Sequence, residues 1–128
     1  LLKRHFCDRH SCSDCDQGCE LGAMRAVLAL GEKSGMETFL VWDGNIPLGY
    51  AGVARVGNCM IFQILKCERG RRGLLEWIHR EAVRRYGEGI LYVNYTEDMG
   101  NPGLRKHKRQ IGPHRLCHNY VCETYPQG

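Results

Sequence analysis

Two clusters of cationic residues, one interleaved with glycines and one preceded by them, carry the strongest chemical signal in this chain of 128 residues. The first cluster consists of Arg69, Gly70, Arg71, Arg72, Gly73 and Leu74. It lies between an apparent strand and the best helical pattern in the chain. Backbone amides of a glycine-rich turn and of a helix N-terminus bind phosphate groups. The segment therefore predicts a site for an anionic cofactor, with an exposed arginine-rich turn as the alternative.

The second cluster follows a short apolar run that Asn94 closes. Asn101 and Pro102 provide an N-cap followed by a proline in the first turn, which predicts a short helix from Pro102 to Arg109. The cations Arg105, Lys108 and Arg109 share one side of that helix. Together with its N-terminal amides they suit an anionic group. The alternative is a capped turn followed by a solvated face.

Three side chains near this helix could remove a proton during a reaction, namely Glu97, Asp98 and His107. Attack of an amine or a hydroxyl on an activated ester or thioester needs a base and polarising donors, and no metal. For His107 the competing interpretation is an ordinary surface histidine, and for Asp98 it is a cap of the turn.

The stretch from Asn94 to Lys108, followed by Pro113, resembles the C-terminal lobe of the phosphatidylglycerol lysyltransferase-like family. In that family an Asn that closes a strand is followed by an Asp, a Gly, Gly-Leu-Arg and a Lys at these spacings, and then by a Pro. Here the matching residues are Asp98, Gly100, Gly103-Leu104-Arg105, Lys108 and Pro113.

This resemblance implies a GNAT-type acyltransferase that moves an acyl group from acyl-CoA or aminoacyl-tRNA to an amine or hydroxyl. It places the donor at residues 69–74 and implies that Asn94, Arg105 and Lys108 contact substrate. Relatives commonly carry two lobes, so we expect residues 1–128 to be a single domain and one lobe of a longer or tandem protein. Arg72 departs from the acetyltransferase pattern, which favours a glycine there.

The order of predicted elements agrees with that fold. Apolar spacing predicts a helical region from Cys12 to Lys33, with Ala23, Ala26, Val27 and Leu30 on its buried face. Strands are predicted over 38–42, 48–56, 59–66, 90–93 and 116–123, and a helix from Leu74 to Tyr86 with a Glu76–Arg80 pair. The 90–93 run should be covered on both sides. This order predicts an α/β (α+β) domain with a GNAT-like mixed central sheet and helices on both faces.

Eight cysteines are many for a chain of this length. Those beside predicted strands, Cys59, Cys67, Cys117 and Cys122, are expected to pack as small apolar residues. The N-terminal group of Cys7, Cys12, Cys15 and Cys19, with His10, could bind zinc or form disulfides. Packing as reduced thiols is the interpretation we favour, and no metal is expected.

Composition limits the class of protein. No apolar run approaches the roughly 20 residues of a membrane span, and no secretory signal is visible, so we expect a cytoplasmic protein. The net charge of +4 favours an anionic partner such as tRNA. Two alternatives to an enzyme stay open: a non-catalytic GNAT-fold module that binds an anionic ligand or nucleic acid, and a zinc-stapled interaction domain.

Overall fold

The computed structural model describes residues 20–68, 70–98, 100–120 and 122. The chain divides into two compact units, Leu1–Asn94 and Tyr95–Gly128. The described elements of the first are helix α1 (Glu20–Leu30), a 3₁₀ turn (Gly31–Ser34), strands β1 (Met36–Asp43), β2 (Ile46–Val56) and β3 (Cys59–Cys67), helix α2 (Leu74–Tyr86) and strand β4 (Tyr92–Asn94). The second contains helix α3 (Pro102–Gln110).

The strands form one mixed sheet in the order β1-β2-β3-β4, as the sequence predicted. The first three are antiparallel, because short turns join them directly, whereas β4 returns through α2 and pairs parallel to β3. The β4 strand pairs only with residues 59–61 of β3. Within the described chain, residues 63–65 of β3 therefore have no strand partner on that side.

The core lies around β2, which is buried on both faces from Leu48 to Val53. Helix α2 covers one face with Ile78, His79 and Ala82, and the His79 ring meets the edge of Phe62 at 4.9 Å. The described part of α1 contributes Met24 to the core, where it is 2% exposed. A mixed four-stranded sheet combined with helices confirms the predicted fold class.

Close contact between α2 and the sheet depends on the absence of a side chain at Gly49. A Cβ atom built there would lie 2.7 Å from Ile78 Cδ1 and 3.1 Å from the carbonyl oxygen of Lys66. Both distances are shorter than ordinary van der Waals contact. Glycine at this position therefore sets how near the helix can approach.

Two strand predictions need correction. The predicted strand 90–93 is observed as Tyr92–Asn94, and it lies at the sheet edge with Leu91 72% and Tyr92 58% exposed, so it is not covered on both sides. The predicted final strand 116–123 is absent over its described residues, which are irregular and exposed. A strand needs a partner ladder for its backbone groups, and β propensity alone does not supply one.

Three side-chain predictions also fail. In α1 the buried residue is Met24, while Ala23, Ala26 and Leu30 are exposed, so the apolar face is rotated from the predicted one. In α2 the ion pairs join Glu81 to Arg84 and Arg85, whereas Glu76 and Arg80 form no ion pair with each other or with any other described residue. Cys117 and Cys122 are exposed, and only Cys59 and Cys67 are half-buried as packing thiols would be.

We predict that Gly49→Ala lowers the free energy of unfolding by about 1–3 kcal/mol, because the new methyl group overpacks the contact with Ile78. Chemical denaturation measures this loss. In the Ile78→Val background, which removes the Cδ1 atom, the same substitution should cost less. Equal losses in both backgrounds would contradict this account of the contact.

Candidate functional site

The loop between β3 and α2 is anchored by hydrogen bonds and by an arginine. The Glu68 amide donates to the Leu48 carbonyl at 2.7 Å, which extends the β2–β3 ladder into the loop. Arg71 Nη1 lies 2.7 Å from a carboxylate oxygen of Asp43, and its Nε lies 3.6 Å from Glu68. Arg71 therefore ties this loop to the β1–β2 turn, and its charge is already balanced by two carboxylates.

The N-terminus of α2 presents backbone amides without a side-chain cap. Its N-cap is Gly73, at φ 81°, and the first bond of the helix runs from the Trp77 amide to the Gly73 carbonyl at 2.9 Å. The amides of Leu75 and Glu76 precede that bond, so the helix offers them no carbonyl. They point out of the helix at its positive end.

Arg72 stands beside these amides and is exposed. It forms no ion pair or hydrogen bond with any residue of the described ranges. Its φ is negative, whereas Gly70 has a φ of 96°, so the loop needs glycine at Gly70 and Gly73 but not at Arg72. The departure at Arg72 thus leaves the backbone of the turn unaffected. Arg69, also predicted to bind the cofactor, lies outside the described residues.

In the second unit, Asp98 organises the loop that precedes α3. Its carboxylate accepts hydrogen bonds from the Gly100 amide at 2.9 Å and from Arg105 Nε at 2.6 Å. The Arg105 guanidinium is the main cause, and the Gly100 amide the second, of a pKa of about 2 for Asp98. Asp98 is therefore a weak proton acceptor at neutral pH.

The predicted N-cap at Asn101 is confirmed. The Asn101 side-chain oxygen accepts hydrogen bonds from the amides of Gly103 at 2.8 Å and Leu104 at 3.2 Å. These are the amides that an anion would need at the start of α3. The expectation that the N-terminus of α3 suits an anionic group is therefore corrected, because Asn101 already occupies it.

Lys108 is folded back onto the same loop. Its ammonium donates hydrogen bonds to the carbonyl oxygens of Tyr95, Thr96 and Glu97 at 2.5, 2.8 and 2.7 Å. Partial burial lowers the pKa of Lys108, and the carboxylates of Asp98 and Glu97 oppose that shift. An ammonium has three hydrogens to donate, so all three are used within this loop.

The remaining predicted site residues occupy different parts of the chain. Asn94 ends β4, where it pairs with Ile61. The Glu97 carboxylate is exposed and accepts a hydrogen bond from the Asn119 side chain at 3.3 Å. His107 is half-buried on α3. Asn94 belongs to the first compact unit, and the other two belong to the second.

The structure offers no metal centre within its described residues, where no group of three or more His, Cys, Asp or Glu side chains is placed to hold an ion. The N-terminal residues Cys7, His10, Cys12, Cys15 and Cys19 lie outside those residues. None of the described helices is long and apolar enough to cross a membrane.

Sequence reasoning missed Asp43, the partner of Arg71. The two residues are 28 positions apart along the chain. It also missed Thr96, a non-glycine residue at φ 57° within the stretch from Asn94 to Lys108. No local pattern in the sequence marks either feature.

Several solved structures with this fold are acetyltransferases or proteins proposed to be so. A proposed acetyltransferase from Agrobacterium tumefaciens matches 96% of this chain and 91% of its own at 16% identity and a TM-score of 0.66. The acetyltransferase AAC(6')-Iy, solved with a CoA-containing bisubstrate analogue, matches 85% and 82% at 11% identity and a TM-score of 0.64. A GNAT-family acetyltransferase from Streptococcus pneumoniae matches 76% and 79% at 19% identity and a TM-score of 0.55.

These likenesses establish the fold, which is that of GNAT-family acetyltransferases. No protein-family model matches the chain, and a search of curated proteins finds no match. The narrower resemblance to the lysyltransferase-like family therefore stays a prediction. Function has to be argued from the residues of the site itself.

We predict that the Asp98 carboxyl titrates with a midpoint near pH 2 and that Arg105→Ala raises this midpoint toward the ordinary value of 3.8. Because the folded pKa is depressed, the contribution of Asp98 to stability is present above about pH 3.8 and is lost as the pH falls through about 2. Carbon-detected NMR of the carboxyl measures the midpoint.

Arg109→Ala is the matched control, because Arg109 is on the same helix and has no bond to Asp98. It should leave the midpoint unchanged. A similar rise in both variants would show that the general positive charge of the helix, and not the pair of hydrogen bonds from Arg105 to Asp98, depresses the pKa of Asp98.

Proposed function

We propose that this chain is an acyltransferase that uses acyl-CoA and binds the donor pyrophosphate at the N-terminus of α2. The observation that carries the proposal is the pair of uncapped amides at Leu75 and Glu76 beside the exposed, unpaired Arg72. Such a helix end attracts an anion through its amides and its dipole. AAC(6')-Iy, which has the same fold, has been solved in complex with CoA.

Within this proposal the residues of the loop have different roles. The amides of Leu75 and Glu76 donate to phosphate oxygens, and Arg72 supplies a cation that is otherwise unpaired. Gly70 and Gly73 allow the backbone to adopt positive φ angles. Arg71 holds the loop in place through Asp43 and does not contact the donor.

The open edge of β3 supports the same donor. Among the described residues, no strand pairs with residues 63–65 on one side, and alternate residues of a strand direct their amide and carbonyl groups to the same side. The Glu68 amide bonds to β2. Because Leu65 is an odd number of residues away from Glu68, its amide and carbonyl groups point to the opposite, open edge of β3. The pantetheine arm of CoA contains two amides, and it can pair with such an edge as an added strand does.

The reaction would join an amine or hydroxyl of an acceptor to the thioester carbonyl, with loss of the CoA thiol. The proton released by the acceptor needs a base. We assign this role to Glu97 or His107, because the low pKa that Arg105 gives Asp98 makes that carboxylate a weak proton acceptor. Asn94 is retained as the proposed acceptor contact. Arg105 and Lys108 are instead proposed to position the loop that carries Glu97.

We predict that Arg72→Ala weakens the binding of acetyl-CoA about three- to tenfold, the usual range for one exposed charge-assisted contact. Isothermal titration calorimetry with acetyl-CoA, dephospho-CoA and pantetheine distinguishes the contribution of the pyrophosphate to binding from that of the 3′-phosphate. The loss should persist with dephospho-CoA, which keeps the pyrophosphate, and should vanish with pantetheine, which lacks it.

Arg80→Ala is the matched control, since Arg80 is an exposed and unpaired arginine further along the same helix. It should change the dissociation constant little. Failure of the unaltered protein to bind acetyl-CoA at millimolar concentration would refute the proposed donor and favour a non-catalytic module.

In turnover we expect Arg72→Ala to raise the KM for acetyl-CoA with little change in kcat, because its contact with the pyrophosphate is the same in the ground and transition states. Chromatographic detection of CoA release in the presence of primary amines measures this. Thiol reagents are unsuitable, since Cys117 and Cys122 are exposed. A fall in kcat at unchanged KM would contradict the assigned role.

A further inference from the structure

One stretch of the second unit is free of acidic residues. From Gly100 to Cys122 the sequence has no Asp or Glu, and its Lys and Arg residues are Arg105, Lys106, Lys108, Arg109 and Arg115. The formal net charge of the whole chain is +4, so this stretch carries all of the net positive charge. Such segregation of charge favours a polyanionic partner.

Internal bonds use only two of these five cations. Arg105 is paired with Asp98, and Lys108 donates to three backbone carbonyls. Lys106, Arg109 and Arg115 are exposed and make no ion pair or hydrogen bond with the described part of the chain. Three cations are therefore available to an external ligand.

The free cations on α3 lie along one polar face. Pro102, Lys106, Arg109 and Gln110 fall at helical spacing and, with Arg105, line an open depression on this helix. Apart from Pro102, the lining side chains are cationic or amide groups. A face of this kind suits phosphates and offers little to an apolar partner.

Exposed rings follow the helix in the same acid-free stretch. Tyr120 is 85% exposed, and His114 and His118 are also exposed. A tyrosine this exposed buries little apolar area within the described chain, and its ring is available to stack on a nucleobase. Cations together with exposed rings are the combination by which proteins bind single strands, whose bases are unpaired.

We propose that residues 100–120 form a binding surface for single-stranded nucleic acid, in which Lys106, Arg109 and Arg115 contact phosphates and Tyr120 stacks on a base. The proposal does not depend on acyl transfer. RNA and DNA share the chemistry that the surface reads, so both are tested.

Fluorescence anisotropy of labelled 15-nucleotide oligo(U) and oligo(dT) with the full chain, in the absence of CoA, tests the proposal. For three phosphate contacts, the logarithm of the binding constant should fall with the logarithm of salt concentration at a slope of about −2. The double variant Lys106→Ala/Arg109→Ala should reduce that slope to about −0.7. Tyr120→Ala should weaken binding severalfold and leave the slope unchanged.

The double variant Arg25→Ala/Arg80→Ala is the matched control, because it removes the same charge from two exposed, unpaired arginines of the first unit. It should bind as the unaltered protein does.

Equal weakening in both double variants would overturn the proposal, since net charge alone would then explain the binding. So would equally tight binding to heparin with no effect of Tyr120→Ala. A preference for oligo(U) would identify RNA as the ligand. Equal binding of the two would show that the surface contacts phosphates and bases without distinguishing RNA from DNA.

Discussion

The approach of helix α2 to strand β2 is the contact on which the first unit depends. Gly49 leaves room for Ile78, which is fully buried, and a side chain there would overlap it. Because α2 begins directly after the loop at residues 70–73, this packing also sets where the uncapped amides of the helix lie. The Arg71–Asp43 pair then holds the loop against the β1–β2 turn. One close contact in the core thus determines the geometry of the proposed donor site.

Cations of similar sequence context perform opposite tasks in this protein. Internal bonds to carboxylates or carbonyls already engage three cations and hold loops in place; these are Arg71, Arg105 and Lys108. Their neighbours Arg72, Lys106 and Arg109 remain exposed and unpaired within the described chain. A cation that already has its partners gains little from a further anion, whereas an unpaired one can still be neutralised. The unpaired cations are therefore the better candidates for ligand contacts, even though the resemblance pointed to Arg105 and Lys108.

The comparison of prediction with structure shows where local signals suffice. Helix α2 begins at Leu74 and ends at Tyr86 as its periodicity predicted, and the Asn101-Pro102 pair starts α3 as expected. The final strand was wrong because Leu116 to Tyr120 has strand-like composition but finds no ladder. In α1 the apolar stripe was ambiguous, and only packing selected Met24 as the buried residue.

The sequence by itself determined the helices, the three-stranded meander and the mixed sheet, since these follow from apolar periodicity and turn residues that act over a few positions. It also determined that residues 69–74 and 94–108 would be chemically distinctive. Only the tertiary structure decided which of their side chains are engaged: Arg71 by Asp43, Asp98 by Arg105, and Lys108 by three carbonyls. The availability of a charged group depends on its neighbours in space, and those neighbours lie from 7 to 28 positions away along the chain.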